Sequence, residues 1–296
     1  LYGRDLRGES SMSKLKSIIK LCLYEFKIEI HSKRVLLGYL VGIVMILKQS
    51  AGYLLYSNEI GLSVNVLEPF IIAGNNYNTV MFLVLGWLLV ISEAPFVNSN
   101  STFLMYRTQR TTWNYAMILY IMVQGIFYYA ITAVSSIVIS VFNGYFANIW
   151  SPAIIKLSSG GNKVNALEVY FPYPQFMRQE SVFSAFIITW SLCLLYGIVL
   201  ALVLYVFNLF TNQIVGAVAA FLFHFLGYEL MKEGYMVIIK YSLLARSVPV
   251  LLIGSELDAT LPQSYVLFAL LIVILIFISG RIVKYVDFKE ISRGEE

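Results

Sequence analysis

Long apolar runs separated by short polar stretches dominate the chain. Six of them approach the length of about 20 residues that a helix needs to cross the hydrocarbon core of a bilayer. They predict six spans, at about residues 35–56, 69–92, 113–142, 181–208, 213–231 and 262–282. The expected fold class is an all-α polytopic membrane protein with a single transmembrane domain over residues 12–296.

Before the first run, residues 12–34 combine basic and apolar positions at helical spacing. Most of the lysines lie off the apolar face, which comprises Ile18, Ile19, Cys22, Leu23, Phe26 and Ile30. This pattern predicts an interfacial helix in the lipid headgroup layer; the alternative is a cytoplasmic extension of the first span. Residues 1–11 fit neither pattern, and we interpret them as a leader left over from cloning, ahead of a natural start at Met12.

The distribution of positive charge predicts the orientation. With six spans, fourteen Lys and Arg residues lie on the side of the N-terminus and six on the opposite side. Because cytoplasmic segments carry the excess of positive charge, both termini are expected to be cytoplasmic. Residues 143–180 and 232–261 then face the outside, and residues 93–112 form the longest cytoplasmic connection between spans.

Residues 236–254 complicate the count of spans, because they are mostly apolar. They contain Lys240, Arg246 and Pro249, and a charge at the centre of a span costs about 2.5–3.5 kcal/mol. A seventh span would also move the basic C-terminal residues to the outside. We therefore expect a pair of short re-entrant helices that dip into the outer leaflet.

Composition supports a membrane protein and argues against several classes of function. Hydrophobic residues make up 59% of the chain and charged residues 13%, whereas soluble domains carry about 25% charge. The net charge of +4 comes with no Lys/Arg run of the nucleic-acid-binding type. The two cysteines indicate neither a disulfide framework nor a metal site. The sequence lacks the glycine-rich nucleotide-binding motifs and His-Glu-x-x-His, so we do not expect an enzyme.

Polar residues at membrane depth are candidates for a translocation path. Lys48 and Gln49 lie in the outer half of the first span, where an ionisable group indicates function. Alternatively, Lys48 snorkels outward or pairs with Glu59 or Glu68 at the external surface.

Two further candidates lie in the third and fifth spans. His224 is near the middle of the fifth span and Glu229 follows it, so they form either a proton relay or, as the spacing favours, separate groups with His224 bonded to a neighbouring helix. The third span carries a polar residue at every fourth position. This series either lines a translocation path or provides polar, closely packed contacts between helices. This ridge comprises Gln124, Tyr128, Thr132, Ser136 and Ser140.

The connection over residues 93–112 has the pattern of an amphipathic helix. Ser92 or Glu93 can cap it, and Pro95 falls in its first turn. Arg107 and Arg110 are expected at its far end. Such a helix docks in a groove of a partner or anchors the loop in the membrane interface. One side of it carries Phe96, Val97, Asn100, Phe103, Leu104 and Arg107.

This layout resembles the permease subunits of ABC-2 type exporters. The resemblance covers nearly all of residues 12–296: the basic first helix, six spans, the helical second connection, the tight turn between the fourth and fifth spans, and the apolar segment before the last span. In particular, SEAPFVNSNSTFLMYRTQRTTWNY is similar to the loop of small permeases of Gram-positive bacteria. In those permeases the loop begins with an acidic residue and a proline, and an Arg-x-x-Arg sequence and a tryptophan follow.

The resemblance also implies the other subunits of the transporter and the roles of the segments described above. It implies a dimer of permeases in the bacterial cytoplasmic membrane, either a homodimer or a pair of paralogues, bound to two copies of a separate ATPase that holds ATP and Mg. The first helix would serve as an elbow, and residues 93–112 as the coupling helix. The path would be lined mainly by the first, second and fifth spans. Members of this family export peptides, including bacteriocins and toxins, as well as drugs, lipids and glycans. The many aromatic residues, 15% of the chain, suit an amphipathic substrate without identifying one, and the cargo we expect is an amphipathic or antimicrobial peptide.

Two other classes of function stay open. An ion-coupled secondary transporter would use Lys48, His224 and Glu229, and would favour an inverted repeat that the sequence does not display. A membrane scaffold or sensor would bind a partner at residues 93–112 without turnover.

Overall fold

The computed structural model describes residues 11–95, 108–160, 169–211, 213–234, 236–253, 257 and 259–285. Within them, five helices are long and apolar enough to cross a membrane, as in a multi-pass membrane protein. In our chain-order numbering, these are α2 (Lys33–Ile60), α5 (Arg110–Ser140), α8 (Val182–Phe210), α9 (Gln213–Lys232) and α13 (Leu261–Ile282).

The remaining described elements are short or lie beside this bundle. The helices are α1 (Ser11–Glu29), α3 (Glu68–Gly74), α4 (Tyr77–Ile91), α6 (Pro152–Ser158), α7 (Pro174–Gln179), α10 (Met236–Ile239), α11 (Leu243–Arg246) and α12 (Pro249–Ile253). Two strands, β1 (Val64–Asn65) and β2 (Gly144–Tyr145), pair in parallel. We call the end of the bundle with these strands the strand end, and the opposite end, where α1 joins α2, the elbow end.

Local sequence signals start and stop the long helices. α13 begins with a capping box, in which the Thr260 hydroxyl accepts from the backbone N–H of Gln263 and the Gln263 side chain accepts from that of Thr260. α2 ends at Gly61, whose φ of 65° lets its N–H turn back to the carbonyl oxygens of the last turn. The predicted spans at 35–56, 113–142, 181–208, 213–231 and 262–282 each correspond to one of these helices.

The predicted continuous span over residues 69–92 is broken into α3 and α4, which meet at 86°. The break falls at two asparagines. The Asn76 side chain caps α4 by accepting from the backbone N–H groups of Asn78 and Thr79. The Asn75 amide donates to Thr189 in α8 and accepts from the backbone of Val250 in α12. These bonds satisfy polar groups that a straight helix would have left facing apolar neighbours.

The first helix, α1, packs along α5, but only part of the predicted apolar face of α1 is buried there. Cys22 is buried, and the ring of Phe26 lies 4.8 Å from that of Tyr120. Ile19 and Leu23, predicted on the same face, are exposed. α1 therefore has a seam buried against α5 and a separate apolar edge, a shape suited to the membrane interface.

Close helix packing depends on glycines in α2 and α4. A Cβ on Gly38 would lie 2.5 Å from the carbonyl oxygen of Gly86, so the two backbones approach closely here. Tyr128 of α5 reaches into this contact and donates to the carbonyl oxygen of Leu83 at 2.7 Å. A Cβ added to Gly42 would lie 2.2 Å from the Tyr128 hydroxyl oxygen, so this hydroxyl fills the space that a side chain at position 42 would need.

A buried carboxylate ties the strand end together. Glu68, the first residue of α3, is fully buried. It accepts hydrogen bonds from the Tyr53 hydroxyl at 2.8 Å, the backbone N–H of Asn65 at 3.0 Å, and both the N–H and hydroxyl of Ser151 at 2.6 Å. These four donors satisfy both oxygens of the buried carboxyl group. Glu68 thus fixes α3 to α2 and α6.

The segment over residues 236–254 contains three short helices in its described part, α10, α11 and α12, instead of the expected pair. The Ser242 hydroxyl caps α11. None of the three is long enough to span a bilayer.

Candidate functional site

Both flanks of the predicted coupling helix are tied to other elements at the elbow end. The described flanks are residues 92–95 and 108–110. The predicted docking face lies outside the described residues: Phe96, Val97, Asn100, Phe103, Leu104 and Arg107.

Arg34, at the start of α2, connects α1 to the first flank. Its guanidinium forms an ion pair with Glu29 at the end of α1 and another with Glu93 at 3.3 Å. It also donates to the hydroxyl of Ser92 at 3.3 Å. Only 14% of the Arg34 side chain and 7% of the Glu29 side chain are exposed, so this pair interacts more strongly than a surface pair would. The Glu93 side chain is 54% exposed, so the second pair is weakened by solvent.

Asn208, near the end of α8, holds the backbone of the same flank. Its amide donates to the carbonyl oxygens of Ser92 at 3.2 Å and Ala94 at 2.5 Å. On its other side, Asn208 packs against Gly216 of α9, where a Cβ would lie 1.8 Å from the Asn208 side-chain oxygen. The turn between α8 and α9 is therefore fastened to the start of the connection.

The second flank is fastened to the last helix. Arg110 begins α5, rather than ending a loop helix as expected, and donates to the carbonyl oxygen of Lys284 at 2.7 Å. One turn further, Asn114 donates to Ser279 of α13 and accepts from the Tyr205 hydroxyl of α8. The two described flanks are thus bonded to α2 and α8 and to the C-terminal end of α13, and Arg34 extends the contact to α1.

A second acidic side chain of α1 is buried near this junction. Glu25 is 1% exposed, and its Oε2 has no hydrogen-bond partner in the described part of the chain. Burial, and then the nearby Glu29 carboxylate, raise the pKa of Glu25 to about 8. Burial also raises the pKa of the neighbouring Cys22 thiol, to about 11, so this thiol is not a reactive one.

Lys48 and Gln49, two predicted path residues, line a cavity of about 630 Å³ at the break between α3 and α4. Glu68, one predicted partner of Lys48, is instead held by Tyr53, Asn65 and Ser151. The rest of the described lining comes from α2, the break, α4 and the loop before α7: Met45, Asn75, Asn76, Tyr77, Asn78, Thr79, Phe82, Val169, Tyr170 and Tyr173.

The polar ridge of the third span is buried between helices. Gln124 donates to the Tyr39 hydroxyl of α2 at 3.3 Å. The hydroxyls of Thr132 and Ser136 donate to carbonyl oxygens of their own helix. This arrangement fits the helix-packing interpretation, and a role in a path remains a prediction for Gln124, Thr132 and Ser136.

His224 is fully buried and bridges two neighbouring helices. Its Nε2 lies 3.1 Å from the carbonyl oxygen of Met81 in α4, and its Nδ1 lies 2.8 Å from the Tyr196 hydroxyl of α8. A carbonyl oxygen only accepts, so Nε2 carries a proton and donates to Met81, and the Tyr196 hydroxyl is placed to donate to Nδ1 when the imidazole is neutral. Glu229 pairs with Lys232 at 3.8 Å.

Several residues of these sites did not emerge from the sequence patterns. Asn208, Asn75 and Asn76 are amides within or beside apolar runs, a signal for a polar contact inside the bundle. Gly38 and Gly42 form a Gly-x-x-x-Gly pair, the signal for close helix approach.

Comparison with known proteins adds no relative. The scan of protein-family models, the search of curated proteins and the search of solved structures each returned no match. Within the described residues, no three His, Cys, Asp or Glu side chains form a group that could hold a metal ion.

Proposed function

We propose that this chain is the membrane-spanning permease subunit of an ATP-driven exporter of the ABC-2 type. In this proposal two copies of a separate ATPase, which bind ATP and Mg, dock on residues 93–112, and a second permease completes the path. The cargo is an amphipathic or antimicrobial peptide, moved out of the cell or out of the membrane. Both termini are cytoplasmic, which places the elbow end on the ATPase side.

The strongest support for this proposal is that both described flanks of residues 93–112 are hydrogen-bonded to other helices. An ATPase that pushes on residues 96–107 needs a route into the spans. Arg34, Asn208 and Arg110 provide one, because they bond the flanks to α1, α8 and the segment after α13. A loop that served only as a membrane anchor would not need bonds to so many elements.

The experiment replaces the predicted docking side chains. The proposal predicts that a neighbouring gene encodes an ATPase with Walker motifs. Co-expression of that ATPase with the permease, followed by affinity purification of the permease, should recover both subunits. Phe103→Ala with Arg107→Glu should abolish recovery of the ATPase, because the first change removes an apolar anchor and the second reverses a charge.

The matched control is Phe142→Ala with Arg178→Glu, two exposed residues at the strand end. This pair should leave recovery unchanged. Equal recovery of the ATPase with the Phe103/Arg107 variant would show that residues 96–107 do not hold it.

One observation favours an ion-coupled secondary transporter as a second candidate: the broken helix with a polar cavity at its break, a common device of such transporters. Its proposed proton carriers, however, have other contacts. His224 bonds to Met81 and Tyr196, and Glu229 pairs with Lys232. Transport that collapses with the proton gradient while ATP is present would favour this candidate.

A further inference from the structure

The contact between α1 and α5 contains a buried carboxyl group with an unpaired oxygen. Glu25 is 1% exposed, and its Oε2 has no hydrogen-bond partner in the described part of the chain. Its surroundings on α1 are apolar: Cys22 is buried, and the ring of Phe26 packs against that of Tyr120 in α5 at 4.8 Å. An acidic side chain thus lies inside an apolar and aromatic contact between two helices.

The charges near Glu25 favour its protonated form. Glu29, one helical turn further along α1, adds a second negative charge, and Arg34 pairs with Glu29 and Glu93. Burial, and then Glu29, raise the pKa of Glu25 to about 8. Within the described residues, the titratable and charged groups around Glu25 on α1, α2, α5 and the first flank are Cys22, Glu29, Arg34, Tyr39, Tyr120 and Glu93.

Ionisation of Glu25 therefore opposes the packing of α1. A buried carboxylate that lacks partners is costly, whereas the neutral acid is tolerated much better. If α1 left the contact, the carboxyl group would reach water and recover its ordinary pKa of 4.5. Each pH unit between about 5 and 8 then lowers the equilibrium constant for docking of α1 about tenfold.

The attachment of α1 permits such a release. Residues 30–32 separate α1 from α2, and Ser32 has an extended backbone, so the chain can pivot there. Within the described residues, the main packing partner of α1 is α5. Leu15, Ile19 and Leu23 are exposed on the edge of α1 that α5 does not cover. The position of α1 thus depends on the contact that contains Glu25 and on the ion pair between Glu29 and Arg34.

We propose that protonation of Glu25 controls the docking of α1: the helix packs on α5 while Glu25 is protonated and is released when Glu25 ionises. Release separates Glu29 from Arg34, the residue that also contacts Ser92 and Glu93 in the first flank. This control follows from the packing of α1. Only its effect on an ATPase docked at residues 93–112 rests on the proposed export function.

Hydrogen–deuterium exchange of the purified full-length protein tests this, in phosphatidylcholine nanodiscs without ATPase or ATP. Backbone exchange is measured from about pH 5 to pH 8 for the wild type and for Glu25→Gln, which keeps the side-chain size but cannot ionise. The ratio of the two rates at each pH removes the intrinsic pH dependence of exchange. Residues 18–28 should exchange equally in both proteins near pH 5. Near pH 8 they should exchange faster in the wild type, by about tenfold or more.

The core helix α8 and two further variants make the test specific. Exchange of α8 should be equal in the wild type and Glu25→Gln at every pH, and it reports whether a variant is folded. Glu25→Met also removes the ionisable group and should protect α1 as Glu25→Gln does. His31→Gln removes an exposed histidine between α1 and α2, a type of side chain that titrates in this pH range. It should lose protection of α1 with rising pH as the wild type does.

Three results would overturn the proposal. The first is equal protection of residues 18–28 in the wild type and Glu25→Gln at every pH, which would mean that another group compensates the ionised Glu25. The second is a parallel loss of protection in α1 and α8, which would mean that the whole fold opens. The third is loss of the pH dependence in His31→Gln. Because no ATPase is present, failure of the export proposal leaves these results unaffected.

Discussion

Asn208 donates a hydrogen bond from its side-chain amide to the carbonyl oxygen of Ala94 at 2.5 Å. The two residues are far apart in sequence, yet this bond joins the end of α8 to the start of the predicted coupling segment. The same amide bonds the carbonyl oxygen of Ser92. One side chain thus fixes the backbone from which residues 96–107 continue.

The contact between Asn208 and Gly216 gives the first prediction. Gly216→Ala should destabilise the protein by about 1–3 kcal/mol, because the new methyl group would lie 1.8 Å from the Asn208 side-chain oxygen. Thermal unfolding in detergent, followed by tryptophan fluorescence, measures the loss as a lower Tm.

The control for that prediction is Gly280→Ala in α13, where no described atom outside the neighbouring residues and backbone of the same helix lies within 4 Å of the added Cβ. This change should be neutral or slightly stabilising, since alanine favours helix over glycine. Equal effects of the two substitutions would contradict close packing at Asn208.

The second prediction concerns Tyr128, whose hydroxyl fills the space beside Gly42. Gly42→Ala should lower the Tm, because its Cβ would lie 2.2 Å from the Tyr128 hydroxyl oxygen. Tyr128→Phe should also lower it, since the hydrogen bond to Leu83 is lost. In the double variant the two losses should be less than additive, because Tyr128→Phe removes the closest clashing atom and leaves only the ring Cζ, at 2.8 Å, and the Thr132 methyl group, at 3.2 Å. Strict additivity in this double-mutant cycle would show that the two residues do not interact.

The sequence predicts most of the fold, because spans depend on local composition. The five unbroken spans and the amphipathic first helix follow from apolar runs and helical spacing alone. The break of the second span was harder to find. Its signal is the sequence Gly74-Asn75-Asn76, typical of a turn, but its stability depends on Thr189 and Val250, which are distant in sequence.

The candidate sites were less predictable because they also depend on contacts between residues that are distant in sequence. Lys48 and Gln49 stand out as polar residues in a span, but the cavity beside them exists only because α4 begins at Asn76. One alternative from the sequence places Glu68 at the external surface as a partner of Lys48. Glu68 is buried because Tyr53 and Ser151, far from it in the chain, supply the donors that a carboxylate requires.

The third prediction concerns the pH dependence of stability at Glu25. Its pKa is raised from the ordinary 4.5 to about 8 in the fold, so between these values the folded protein holds a proton that the unfolded chain releases. Stability should therefore fall as the pH rises from about 5 to 8. Glu25→Gln, which cannot ionise, should remove part of this decline.

Tm measured from pH 5 to pH 8 tests this for the wild type and the Glu25→Gln variant. Glu59→Gln, at an exposed glutamate of α2, serves as the control and should follow the wild type. Parallel pH profiles for wild type and Glu25→Gln would mean that Glu25 does not titrate in this range.

The most direct test of the central claim is export by the permease and its ATPase in proteoliposomes. We predict that ATP drives a fluorescent amphipathic peptide across the membrane when a protonophore has dissipated the proton gradient. We also predict that Phe103→Ala with Arg107→Glu stops this transport while Phe142→Ala with Arg178→Glu does not. Transport that needs the proton gradient and proceeds without the ATPase would contradict the account.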